Sequence, residues 1–189
     1  TTAADLDADP DIIATPDGIV NLRTGERRPA MPGDRVTKLT GGRYRPGTSM
    51  HPDVATALRA IPDDCLSYMQ IILGQGITGR QPEDDKLRLL HGGGSNGKTT
   101  VLGMVRAAIG DYGAVLPDQL FMGATEGDGR ERASTVLLGL RFGFIEETPD
   151  EGHGNRLNEV AMKKVLGSAR IRGRFLYKEP FEFVPTHTV

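Results

Sequence analysis

A single cysteine among 189 residues, Cys65, excludes an intramolecular disulfide. No apolar run approaches the roughly 18 residues that a membrane-spanning helix requires. A reducing cytoplasm is therefore the default expectation. An excess of one charge sign is missing too: 23 Lys and Arg stand against 25 Asp and Glu, a formal net charge of -2. Any polyanion contact must then come from a local cluster of basic residues. His51, His91, His153 and His187 lie far apart without metal-ligand spacing and read as structural or solvent-facing. The chain starts Thr1-Thr2 with neither an initiator methionine nor a signal peptide, the pattern of a processed chain or an excised fragment.

The length suits one well-cored domain with a small N-terminal extension. From Asp11 to Thr40, short β-prone pieces are separated by the turn signals Pro16-Asp17-Gly18, Thr24-Gly25-Glu26 and Pro32-Gly33-Asp34. This predicts a small β-meander, making residues 1–50 a β-rich region that ends in the Gly- and Pro-rich stretch Gly41 to Pro52. Residues 51–81 carry two helical patterns that open on Pro-Asp, the second closing at Gly74. The polar Gln81 to Lys86 then leads into an apolar strand, Leu87 to Leu90, so residues 82–189 form the main core.

That strand runs into HGGGSNGKTT, His91 to Thr100. The stretch fits G-x-x-x-x-G-K-[ST] with Gly92, Gly97, Lys98 and Thr99. Val101, Leu102, Val105, Ala108 and Ile109 follow at helical spacing before a Gly110 stop. Strand, glycine loop and helix are the parts a phosphate cradle needs. Backbone N–H groups of Gly92, Gly93, Gly94, Ser95, Asn96 and Gly97 can turn toward phosphate oxygens, the helix N-terminus adds partial positive charge, and Lys98 bridges the outer phosphates. Thr99 can ligate magnesium, and Thr100 completes the expected ATP-binding set.

A phosphate loop also needs a second strand that ends in acid. Gly139 to Ile145 is apolar and runs into Glu146 and Glu147, at the edge where α/β sheets place their ligands. One carboxylate can hold hydrated magnesium while the other polarises the attacking water. Spacing does not decide which does which. The remaining signal is basic: Arg170, Arg172 and Arg174 alternate with Ile171, Gly173 and Phe175, so an extended strand projects the three guanidinium groups from one face. Together with Lys163, Lys164 and Lys178 they could track a nucleic-acid backbone.

These residues resemble the superfamily 3 helicases, and within them the phage and plasmid primase-helicases related to the poxvirus NTPase. TPDGIVNLRTGE (Thr15 to Glu26) is similar to that family's N-terminal signature, YMQIILGQGITG (Tyr68 to Gly79) to the helix before its ATPase core, and HGGGSNGKTT to its phosphate loop. Arg156 to Thr188 resembles the stretch that carries a DNA-contacting basic hairpin. The resemblance implies an ATP- and Mg2+-dependent translocase on single-stranded DNA, of the AAA+ type, acting as a homo-oligomeric, hexameric ring in phage or plasmid replication. In it Glu147 takes the acidic-strand position, with Glu146 beside it. Gly167-Ser168-Ala169 departs from the family's usual Gly-Gly-Asp. The resemblance also puts the next strand, with its polar sensor residue, and an arginine finger beyond Val189. Such a finger contributes about 10³ to 10⁵ in rate, so slow ATP hydrolysis is expected of this piece. The primase module that usually accompanies the family is not matched, and no primer synthesis is expected.

The expected fold is accordingly a P-loop NTPase-type, three-layer α/β core, the glycine-loop strand beside the acidic strand, preceded by a small β-plus-helical domain. Two other functions compete. A P-loop small-molecule kinase would need a lid, for which Gly123 to Arg132 is the candidate, and a non-catalytic DNA-binding or assembly module would keep the nucleotide site without turnover.

Overall fold

The first two turn signals of the N-terminal third act as the sequence implies, while the third, Pro32–Asp34, forms a 3-10 turn that no strand follows before Pro52. In a computed structural model, which describes residues 2, 5–91, 97–121, 128–145 and 158–189, β1 (Ile12–Thr15), β2 (Gly18–Asn21) and β3 (Arg27–Arg28) form an antiparallel meander. Pro16 and Asp17 make the first turn, with Thr15 paired to Gly18. Gly18 has φ 127°, and a Cβ there would lie 2.3 Å from the Arg28 carbonyl oxygen, so only glycine lets β3 approach. Ile13 and Val20 pack toward the rest of the molecule, while Ile12, Ala14 and Ile19 form a cluster of their own.

Two helices follow, α1 (Pro52–Leu58) and α2 (Asp63–Ile77). The second does not stop at Gly74 as expected; it runs on for three residues and is capped at Thr78, whose N–H donates to the Gln75 carbonyl at 3.0 Å. The reason is tertiary. Gly76 is buried against the ring of Phe142, where an added Cβ would come within 2.1 Å, so this glycine serves close packing rather than termination.

The core is mixed α/β. α3 (Lys98–Ile109) ends as expected at Gly110, with φ 59°, and a short 3-10 turn leads into β4 (Gly113–Val115). β4 pairs in parallel with β5 (Phe142–Phe144), whose three residues are all buried. α4 (Asp128–Ala133) and α5 (Glu159–Gly167) flank a hairpin of β6 (Ile171–Gly173) and β7 (Phe181–Phe183). Leu120, Leu137, Leu140, Val165, Ile171 and Phe183 bind hairpin, α5 and core into one apolar cluster.

Three expectations are corrected here. Leu87–Leu90 is not a regular strand: Arg88 N–H donates to the Val189 carbonyl at 3.4 Å, and Leu89 is 75% exposed. Nor does that segment lie beside the acidic strand. Thr188 bridges in parallel to Phe142, with Gly143 N–H to Thr188 O and Thr188 N–H to Arg141 O both 2.8 Å, so the chain around Thr188 separates β5 from Arg88. A three-layer sheet core is correspondingly incomplete among the described residues, which contain one two-stranded parallel pair extended by that bridge.

The N-terminal region is fastened to this core by backbone. Asp111 N–H donates to Leu39 O at 2.9 Å, Gly42 N–H to Ala108 O at 3.2 Å and Gly79 N–H to Pro10 O at 3.0 Å.

Candidate functional site

The described part of the glycine loop is its exit. Gly97 caps α3 in the left-handed region (φ 79°), and a Cβ there would stand 2.6 Å from the Ala60 methyl at the end of α1, so glycine is needed on both counts. Lys98 is the first residue of α3 and is partly buried; Thr99 and Thr100 are exposed in the first turn. Gly92, Gly93, Gly94, Ser95 and Asn96 lie outside the described residues, as do Glu146 and Glu147.

Chain topology nevertheless orients the two halves of the site. α3 returns through a tight turn into β4, and it packs on the sheet: Leu102, Val105 and Ile109 meet Phe142 and Phe144, and the Arg106 guanidinium lies 5.9 Å over the Phe144 ring. A helix that leads directly into a strand it packs against runs antiparallel to it. The N-terminus of α3, with Lys98, therefore points toward the C-terminal edge of β4 and of its parallel neighbour β5. That is the edge from which Ile145 leads to Glu146 and Glu147.

The basic residues fall in two places. Lys163 and Lys164 are exposed on α5, where Lys163 Nζ pairs with Glu159 at 2.6 Å and holds that carboxyl below its ordinary range. The others belong to the hairpin. Ile171 and Gly173 are buried and Arg172 is exposed between them, the alternation the sequence implies. Arg172 Nε lies 3.0 Å from the Glu131 carboxylate on α4. Arg174, just past the strand, donates from Nε to the Lys178 carbonyl at 3.0 Å. Lys178 is exposed in the connection to β7. Arg170 turns away from this end and lines an open cleft of about 680 Å³, together with Arg80, Gln81 and Glu182. The structure thus brings Arg172, Arg174 and Lys178 together and sets Arg170 at the hairpin base.

Sequence reasoning missed two features. Glu131 falls in the stretch Gly123 to Arg132 read as a candidate kinase lid, whose residues 123–127 lie outside the described ones; Asp128–Ala133 is a helix, and the Glu131 carboxylate anchors the hairpin. Phe175, Leu176 and Tyr177 form the hairpin apex and are exposed, which the run Phe-Leu-Tyr in a sequence does not announce. Among the described residues there is no cluster of three or more His, Cys, Asp or Glu able to hold a metal, and no helix long and apolar enough to cross a membrane.

Two comparisons bear on this geometry. A protein family described as "D5 N terminal like" matches residues 1–70, that is the meander, the Gly-rich connection, α1 and half of α2. A protein of Acanthamoeba polyphaga mimivirus named "putative helicase" is 25% identical over 186 residues, 95% of this chain. Both likenesses support a helicase-associated family. The chain spans 19% of the length of that viral relative.

Proposed function

We propose that this chain is the ATP-binding part of a superfamily 3-type DNA replication helicase that moves on single-stranded DNA. The observation that carries the reading is the pairing of Gly97–Lys98 at the N-terminus of α3 with the exit of β5 toward Glu146 and Glu147, on one edge of the parallel strands. This is where a nucleotide's phosphates gain most from a helix N-terminus and a lysine.

Lys98 at the start of α3, with Thr99 exposed beside it, supports a nucleotide at this edge. Lys98 would hold the outer phosphates and Thr99, exposed in the first turn, its magnesium ion; the loop from Gly92 to Asn96 would wrap the phosphates, and Glu146 and Glu147 would orient water and metal. Bound Mg-ATP supplies the free energy of phosphoryl transfer to water. Arg172, Arg174 and Lys178 of the hairpin, with Arg170 at its base and Lys163 and Lys164 on α5, would bind the phosphates of the DNA strand. Assembly of copies into a ring would align these hairpins along one channel.

Measuring ATP hydrolysis with and without single-stranded DNA tests the reading. Slow turnover that DNA accelerates supports it. Phosphoryl transfer to a small acceptor points to a kinase instead, and nucleotide binding without turnover under both conditions to a non-catalytic assembly module.

A further inference from the structure

The cations of the hairpin do not account for its apex. Between β6 and β7, Phe175, Leu176 and Tyr177 are 42%, 58% and 93% exposed. Three consecutive large apolar side chains in water are a feature that surfaces avoid unless a partner covers them.

The apex is also held in shape. Phe175 stacks on Phe181 with ring centroids 5.2 Å apart and planes 18° from parallel, and Phe181 lies 5.8 Å from Phe183, which is rooted in the core. Lys178 N–H donates to the Phe175 carbonyl at 3.1 Å, Arg174 Nε to the Lys178 carbonyl at 3.0 Å, and Arg174 N–H to the Glu131 carbonyl at 3.1 Å. Tyr177 takes φ 59°, a conformation a tyrosine rarely adopts. The turn keeps this ring in solvent while its neighbours tie it down.

The charge around it selects the partner. Arg170 stands at the hairpin base and Arg172 is paired with Glu131, but Arg174 and Lys178 flank the apex directly against the single carboxylate of Glu179, so the apex itself carries a positive excess. An exposed, pre-positioned aromatic ring among cations is the arrangement that binds single-stranded nucleic acid, with bases on the ring and phosphates on the cations. We propose that Tyr177, with Leu176 beside it, is a stacking platform for the unpaired bases of a single-stranded nucleic acid, while Arg172, Arg174 and Lys178 take its phosphates. This rests on the reading of the hairpin as the DNA-facing element.

The test compares two oligonucleotides of equal length, one of thymidines and one of abasic sites, which present the same phosphates with and without bases. The whole chain should bind the base-bearing strand about fivefold more tightly or better, the low end of what one stacked base contributes. Tyr177→Ala should abolish that preference and leave the salt dependence unchanged, whereas Tyr177→Phe should keep it. Because the chain has no tryptophan, quenching of tyrosine emission on binding is a second readout, and Tyr177→Phe should lose it while retaining affinity. Arg170, Arg172 and Arg174 replaced together by alanine should reduce the slope of log K against log salt by about 0.7 per lost phosphate contact, for both strands.

Equal binding of both strands by the unmodified chain, with the triple variant still flattening the slope, overturns the stacking role and leaves the hairpin as a DNA face. A slope the triple variant does not change overturns the hairpin as a DNA face and the stacking role with it. Self-association that Tyr177→Ala abolishes, without any preference for bases, would assign the apex to a second copy of the chain and also overturn the proposal.

Discussion

The guanidinium of Arg141 lies 5.7 Å over the ring of Tyr112, and both side chains are 1% exposed. Arg141 donates to the carbonyls of Asp9, Pro10 and Ile12 at 3.1, 3.2 and 3.0 Å, and the Tyr112 hydroxyl accepts from Ala14 N–H at 3.0 Å. Two core side chains thus hold the backbone of the first strand of the meander. Burial pulls the Arg141 pKa down, opposed by the nearby Tyr112, Asp7 and Asp9.

Arg141→Met is therefore expected to do more than remove packing. The buried Ile12 carbonyl and the partly buried carbonyls of Asp9 and Pro10 lose charged donors, each such bond contributing about 1.5–3 kcal/mol, so a loss of roughly 3 kcal/mol or more is expected. Tyr112→Phe, which removes one acceptor, should cost about 1 kcal/mol. Urea unfolding of each variant measures both, and a midpoint for Arg141→Met within error of the parent would show that the meander is held by other contacts.

Two glycines of α2 give opposite expectations. A Cβ at Gly74 meets nothing within 4 Å, so Gly74→Ala should stabilise the helix by about 0.5–1 kcal/mol. At Gly76 the same methyl strikes the Phe142 ring, and overpacking of this kind costs about 1–3 kcal/mol. Equal effects of the two substitutions in thermal unfolding would contradict the packing of α2 on β5.

His187 makes stability depend on pH. It is 1% exposed, its Nε2 lies 2.9 Å from the Val165 carbonyl, and Nδ1 is buried without a hydrogen-bond partner. Burial lowers its pKa from 6.5 to about 4 in the fold, although the bond to Val165 opposes the shift. The folded state therefore binds the proton less readily than the unfolded state. Stability is complete above about pH 6.5 and falls as pH drops toward 4, by a total of about 3 kcal/mol at 1.36 kcal/mol per unit. His187→Gln, which keeps a donor for Val165 and cannot ionise, should unfold with a flatter pH dependence in that window. Identical urea midpoints against pH for the two proteins would remove His187 as the cause.

Lys98→Ala should abolish nucleotide binding and leave the urea midpoint nearly unchanged, because Lys98 lies in the first turn of α3 rather than in a core cluster. Titration with a fluorescent ATP analogue checks this. Unchanged affinity would sink the phosphate-loop assignment.

Part of the site was legible because it is written locally. Gly-Lys-Thr after a glycine run places a lysine at a helix start, and Lys98 does open α3, which then stops at Gly110 as the spacing implies. The alternation around Arg172 likewise gave the buried and exposed faces of β6. Arg170 and Arg174 were less legible: one lines the cleft and the other bonds to a carbonyl in the turn, since the period of two holds only while the strand lasts.

By itself the sequence determined the meander, its turns, the start and end of α3 and the inward face of the hairpin, because each depends on sterics or periodicity within a few residues. Tertiary structure alone decided that α2 continues through Gly74, that the chain around Thr188 lies between β5 and Arg88, and that Arg141 reaches back about 130 residues to carbonyls at and just before the start of the first strand. It also decided that Tyr177 stands in solvent rather than in the core. These outcomes follow from which distant surfaces bury one another, and no local residue pattern specifies that choice.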